Sequence, residues 1–333
     1  MEAEDHLIWM NLPDDVFGLW DFSRLEVLKT SNERLLDKAM QDSRHLSRLK
    51  IPGISLKYIK SNKFPASIRH LHIFKMHMTV LRLSEITQLV SLELTGDLMQ
   101  GAPRDTLLQL QELYLHGCAP FWPIDCPNLL RLRLHPKVTS YVGYEPAEII
   151  SLPLLRELEY ISSSQLSLLR FFHAPQLVTL DIQEKGYRKQ ETYDALNEIW
   201  PPSPLSTGVE QSNYGLDPVI FKLGNTAIDG EALARILHRF KHVEKVHLDN
   251  TIFSGEFFDA LRSTMTEDMS FSSLSTLQVL TVEYTTGIHG TVEVDRRGLI
   301  TSIIQLGAQR GIKGSHSKSV PSTLEMAGRT GMN

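Results

Sequence analysis

A short apolar phrase, apolar-x-x-apolar-x-apolar, recurs ten times along the chain and limits what it can fold into. Seven copies are clean. They are His45-Leu46-Ser47-Arg48-Leu49-Lys50-Ile51, Ile68-Arg69-His70-Leu71-His72-Ile73, Leu89-Val90-Ser91-Leu92-Glu93-Leu94, Leu110-Gln111-Glu112-Leu113-Tyr114-Leu115, Leu129-Leu130-Arg131-Leu132-Arg133-Leu134, Leu155-Arg156-Glu157-Leu158-Glu159-Tyr160 and Leu177-Val178-Thr179-Leu180-Asp181-Ile182. Three looser copies follow around Phe221, Val246 and Leu280. Side chains alternate along a strand, so both apolar residues that flank a middle residue point to one side. One strand cannot bury that side alone. Stacking many of them as a parallel sheet buries a continuous apolar ladder, which predicts a solenoid.

The second apolar residues stand at positions 49, 71, 92, 113, 132, 158, 180, 221, 246 and 280. Most early steps fall within roughly 20–29 residues, the period of leucine-rich repeats. From about residue 44 to 284 the chain resembles that family. The expected fold is α/β: a curved parallel sheet with helical or irregular returns and a short helical N-terminal cap. Returns at 106–110 and 229–240 read as helical. The second carries Leu233, Ile236, Leu237 and Phe240 at helical spacing, with Asp229 as N-cap. The predicted divisions are a helical segment over 1–43, the solenoid over 44–310 with an insertion at 184–217, and a disordered tail over 311–333. The insertion holds a polar helical piece at 191–200 and then Pro201-Pro202-Ser203-Pro204. Residues 299–306 read as a terminal helix.

The open side of the ladder is the expected binding surface. Its middle column would be Lys50, His72, Glu93, Tyr114, Arg133, Glu159, Asp181, Lys222, His247 and Thr281. We expect a protein partner on a concave face formed by Phe74, Tyr114, Arg131, Arg133, His135, Glu157, Glu159 and Asp181. The basic block Arg131, Arg133 and His135 beside the acidic block Glu157, Glu159 and Asp181 favours a partner with the reverse pattern. Phe74 and Tyr114 are the aromatic anchors.

The composition narrows the function classes. A formal charge of −5 argues against nonspecific nucleic-acid binding. No apolar run reaches ~18 residues, so no membrane span is expected. Cys118 and Cys126 are the only cysteines and read as small buried fillers, and no Asn-x-Ser/Thr acceptor occurs. With an acidic N-terminus and no signal-like run behind it, the expected compartment is cytoplasm or nucleus. No phosphate loop, nucleophile elbow or His-Glu-x-x-His motif is present. The chain therefore reads as a non-enzyme with no cofactor and no metal.

One further motif points to partners. Asn11-Leu12-Pro13-Asp14-Asp15-Val16-Phe17, then Asp21-Phe22-Ser23-Arg24-Leu25, then Thr30-Ser31-Asn32-Glu33-Arg34-Leu35-Leu36, resembles a truncated F-box. Phrases such as Ala174-Pro175-Gln176-Leu177 and Cys126-Pro127-Asn128-Leu129 look like the fungal F-box/leucine-rich-repeat group. The resemblance implies a substrate receptor of a Skp–cullin–F-box ubiquitin ligase. Leu12, Pro13, Val16, Phe17, Phe22, Leu25 and Leu28 would then face a Skp-type adaptor. The receptor would act by raising local concentration. The alternative is a leucine-rich-repeat interaction scaffold with no ubiquitin role, in which residues 7–40 only cap the ladder.

Overall fold

The computed structural model describes residues 21–52, 64–74, 86–96, 105–117, 124–136, 149–162, 166–184, 215–228, 242–249 and 279–283. It also describes the short pieces 2–4 and 252–253 and the single positions 196, 199, 233, 236, 237 and 240. In chain order the elements are β1 (Glu2–Glu4), β2 (Val27–Lys29), α1 (Glu33–Asp42), β3 (Arg48–Pro52), β4 (His70–Phe74), β5 (Ser91–Thr95), β6 (Asp105–Thr106), β7 (Glu112–His116), β8 (Ile124–Asp125) and β9 (Arg131–His135). There follow β10 (Ile150–Ser151), β11 (Glu157–Ser162), a 3-10 helix (Leu166–Phe171), β12 (Phe172–His173), β13 (Thr179–Glu184), β14 (Ile220–Gly224), β15 (Ala227–Ile228), β16 (Lys245–Asp249), β17 (Ile252–Phe253) and β18 (Val279–Glu283).

Twelve strands form one parallel sheet in the order β1-β2-β3-β4-β5-β7-β9-β11-β13-β14-β16-β18. The register places Leu28, Leu49, Leu71, Leu92, Leu113, Leu132, Leu158, Leu180, Phe221, Val246 and Leu280 in a single row. A second row runs from Ile51 through Ile73, Leu94, Leu115, Leu134, Tyr160, Ile182, Leu223 and Leu248 to Val282. The ten members of the first row from Leu28 to Val246, and the nine of the second from Ile51 to Leu248, are buried. Two residues separate adjacent members of a strand's inner face, so a row of this kind is the direct product of the Leu-x-Leu phrase.

Seven of the rungs are entered by the same turn. Leu25 N–H donates to Phe22 O, and the same contact recurs from Ile68 to Pro65, Leu89 to Ile86, Leu110 to Leu107, Leu129 to Cys126, Leu155 to Leu152 and Leu177 to Ala174. The donor residues are all buried. The first acceptor of the next rung is also shared. Glu26 O takes both Ser47 N–H and Arg48 N–H, and this pairing repeats at Ser47, Arg69, Val90, Gln111, Leu130, Arg156, Val178 and Val219. Neighbouring units are thus tied before the ladder itself begins, which keeps an open array in phase.

Three expectations change. The segment expected to be helical over 1–43 is not helical throughout its described residues. Residues 22–25 form the entry turn and Val27–Lys29 is a strand, so the array starts one rung earlier, inside the predicted cap. Thr30 takes the place of the second apolar residue; it is fully buried and its N–H donates to Lys50 O. A threonine hydroxyl in an apolar slot hid this copy. The helix that remains, α1, is capped by Asn32, whose Oδ1 accepts from Arg34 N–H at 3.0 Å and Leu35 N–H at 3.1 Å. It buries Leu35, Leu36 and Ala39.

The return at 106–110 is not helical either. Its start, Asp105–Thr106, pairs in parallel with Ile124–Asp125, and the next residues form a turn. Similar two-residue ladders join β10 to β12 and β15 to β17. Helical return survives elsewhere: Leu233, Ile236 and Leu237 are helical and buried, as are Leu196 and Ile199 in the insertion. Cys126 is buried at a turn position. Cys118, the tail over 311–333 and the helix expected at 299–306 lie outside the described residues.

Candidate functional site

The sheet face opposite the apolar rows carries one polar residue per rung. Register aligns Lys29, Lys50, His72, Glu93, Tyr114, Arg133, Glu159, Asp181, Lys222, His247 and Thr281 side by side. At about 4.8 Å per step the row is roughly 48 Å long. It contains every middle-column residue expected from sequence, plus Lys29, which the hidden first rung supplies. A flanking row holds Arg48, His70, Ser91, Glu112, Arg131, Glu157 and Thr179.

The predicted basic and acidic blocks meet on this face and neutralise each other. Arg131 lies between two carboxylates, Glu112 Oε1 at 3.3 Å and Glu157 Oε2 at 3.0 Å. Arg133 Nε donates to Glu159 Oε2 at 2.6 Å, and its guanidinium sits 5.3 Å from the Tyr114 ring centroid. Lys222 reaches Asp181 at 3.9 Å. Both arginines stay more than half exposed. Such pairs contribute only ~0–1 kcal/mol each to folding. They do decide how much charge is left to offer a partner.

The histidines follow a different pattern. His116 and His135 face each other across neighbouring strands, Nδ1 to Nδ1 at 2.6 Å, with rings edge-on at 4.0 Å. Tyr114 Oη is 3.3 Å from His116 Nδ1. His135, expected to extend the basic block, is therefore engaged with another imidazole. Burial lowers His72 to about 4, and the charge of Lys50 acts in the same direction. The ring is neutral at ordinary pH, so its 3.2 Å contact with Glu93 Oε2 is a hydrogen bond from Nδ1–H. That tautomer makes Nε2 an acceptor, and Nε2 is buried with no hydrogen-bond partner among the described residues.

Burial also raises the carboxyls of Glu93 and Asp181 above the usual range. Lys50 and Arg133 pull Glu93 the other way, and Lys222 does so for Asp181.

Two shallow hollows mark the face. One, of about 300 Å³, is lined by Lys29, Arg48, Lys50, His70, His72 and Glu93 among others. The other, of about 290 Å³, lies over Tyr114, Arg131, Arg133, Glu157 and Glu159. Phe74 stands at the end of its strand, 37% exposed, with its ring 6.1 Å from that of His72. Phe74 and Tyr114 are thus both presented on or beside the face, two rungs apart in strand order.

The adaptor-facing set fares differently. Phe22, Leu25 and Leu28 belong to the core, at 3%, 0% and 0% exposure, because they are the turn and strand residues of the first rung. They offer no surface to an adaptor. Leu12, Pro13, Val16 and Phe17 lie outside the described residues. Among the described residues no group of three or more His, Cys, Asp or Glu is placed to hold a metal ion. No described helix is long and apolar enough to cross a membrane.

No family model matches the sequence, and no curated protein does. Among solved structures the chain is similar to internalin C2 from Listeria monocytogenes, with 16% identity over 65% of this chain and 81% of that one and a TM-score of 0.31. The repeat, entry turn and register of this chain themselves define its fold. By these it is a leucine-rich-repeat solenoid.

Proposed function

We propose that the chain is a protein-interaction module that holds a partner across the open face of its sheet. One observation carries this reading: a continuous row of polar and aromatic side chains, one per rung, backed by an apolar row that fixes each of them in place. Such a surface is long, rigid and chemically varied. Among the described residues it offers open hollows, which fit binding better than catalysis. The test is capture of partners from a lysate by the tagged full chain, compared with a Phe74→Ala, Tyr114→Ala double variant. Both residues lie on or beside the open face and outside the buried core, so the fold should survive, as circular dichroism will verify. Loss of the specific partner with the double variant supports the module. Equal capture by both chains refutes it.

A narrower reading makes the module the substrate receptor of a Skp–cullin–F-box ubiquitin ligase. It draws support from Leu12-Pro13-Asp14-Asp15-Val16-Phe17, since Phe22, Leu25 and Leu28 are committed to the core. Recovery of a Skp-type adaptor and cullin that disappears with Leu12→Ala and Pro13→Ala supports the receptor. Capture of a face-bound partner with no adaptor leaves the scaffold.

A further inference from the structure

Positive charge along the open face is unevenly spent. In the middle of the sheet Arg131 and Arg133 are consumed by Glu112, Glu157 and Glu159. These rungs, with Asp181 beyond them, carry more carboxylates than cations. Near the N-terminal end the balance reverses. Arg48 and Lys50 are exposed, and neither makes an ion pair among the described residues. Lys29 neighbours Lys50 in the row, with Glu4 next to Lys29 in register. The one carboxylate of the N-terminal hollow, Glu93, accepts from His72.

We propose that strands β2 to β4 hold an extended acidic segment of the partner protein, with carboxylates two residues apart seated on Arg48 and Lys50. This rests on the interaction-module reading and names the partner chemistry at one end of the same face. The spacing is set by the strand. Arg48 and Lys50 project from one face two residues apart, about 6.6 Å along the strand. Alternate side chains of an extended peptide have the same repeat, so an acidic-x-acidic segment matches both cations at once. Because His72 stays neutral, it adds no charge of its own. Phe74, at the rim, gives the segment an apolar edge to pack on.

Fluorescence anisotropy with the full chain tests this. The probe is a fluorescein-labelled peptide of alternating Glu and Ser. A Lys/Ser peptide and a thymidine oligonucleotide serve as the opposite-charge and polyanion controls. We expect the Glu/Ser peptide to bind at low salt, the Lys/Ser peptide not to bind, and Arg48→Glu with Lys50→Glu to weaken the Glu/Ser peptide by about tenfold or more. Arg131→Gln with Arg133→Gln, which alters cations already neutralised, should change it by less than about threefold. Absence of peptide binding, binding that survives the Arg48 and Lys50 reversal, or equal affinity for the oligonucleotide overturns the proposal. If natural-partner capture depends on Phe74 and Tyr114 but not on Arg48 and Lys50, this inference falls and the module stands. If capture depends on neither pair, both fall.

Discussion

Leu158→Ala measures whether the apolar rows hold the array together. Leu158 is 1% exposed and sits in register between Leu132 and Leu180, themselves 5% and 0% exposed. Truncation removes three carbons and leaves a void. Two features keep that void open. The strand spacing of about 4.8 Å is fixed by ladder hydrogen bonds, so Leu132 and Leu180 cannot close in. The two peptide N–H groups that start the rung are also pinned to Leu130 O. The cost should therefore fall in the upper part of the Leu→Ala range, about 3–5 kcal/mol. Leu113, 8% exposed, can let solvent-side groups relax and should cost less, about 2–3 kcal/mol. Glu159, next in sequence to Leu158 but on the other face, is the control. Removing its exposed pair with Arg133 should cost under about 1 kcal/mol. Urea unfolding followed by circular dichroism reads all three. Repeat arrays depart from single-step unfolding, so the midpoint of the segment containing the mutation is the quantity compared. A Leu158→Ala loss no larger than that of Glu159→Ala would show that the inner face is not a packed row.

Two other substitutions probe features that sequence did not announce. Gly215→Ala would place a Cβ 2.5 Å from both His173 Cα and Phe172 O, backbone atoms that cannot turn aside, so it should cost about 1–3 kcal/mol or shift the end of the insertion; thermal melts would show it, and an unchanged melting temperature would contradict the close approach. His72→Gln should flatten the acid side of the stability profile. With the folded pKa of His72 near 4 and the unfolded one near 6.5, the unfolded chain binds the extra proton between those values, so wild-type stability falls as pH drops through that window. Glu93 and Asp181, raised by burial, act oppositely, because the folded state holds their protons longer as pH rises. The difference between wild type and variant isolates His72, and identical profiles would refute its assignment as a neutral, buried ring.

What sequence could disclose follows from the length of each signal. The rows through Leu71, Leu92, Leu113, Leu132 and Leu158 were legible because a two-residue alternation repeated at near-constant steps leaves one parallel register. The polar row from Lys50 to Thr281 came with it. The first rung was missed for one residue: Thr30 stands where the other copies have Ile, Leu, Val or Tyr, and Asp21-Phe22-Ser23-Arg24-Leu25 resembles a helix of another motif. Yet Phe22-x-x-Leu25-x-x-Leu28 repeats the spacing of Ile86, Leu89 and Leu92. The two-residue return ladders at Asp105 and Ile124 were beyond reach, since pairs that short carry no periodicity. Pairing within the charged blocks was half visible. Adjacent strands put Arg133 beside Glu159, but the choice of Arg131 to bridge Glu112 and Glu157 depends on side-chain geometry.

The register across the insertion has a practical consequence. Thr179 pairs with Ile220 and Leu180 with Phe221 as if the intervening residues were an ordinary return. Chain length between these two strands is thereby uncoupled from the phase of the stack. Extra chain can be carried at that junction while the units on either side keep count, so long as Leu196, Ile199 and Leu216 stay in the core, giving the scaffold a splice point that leaves its ruler unaltered.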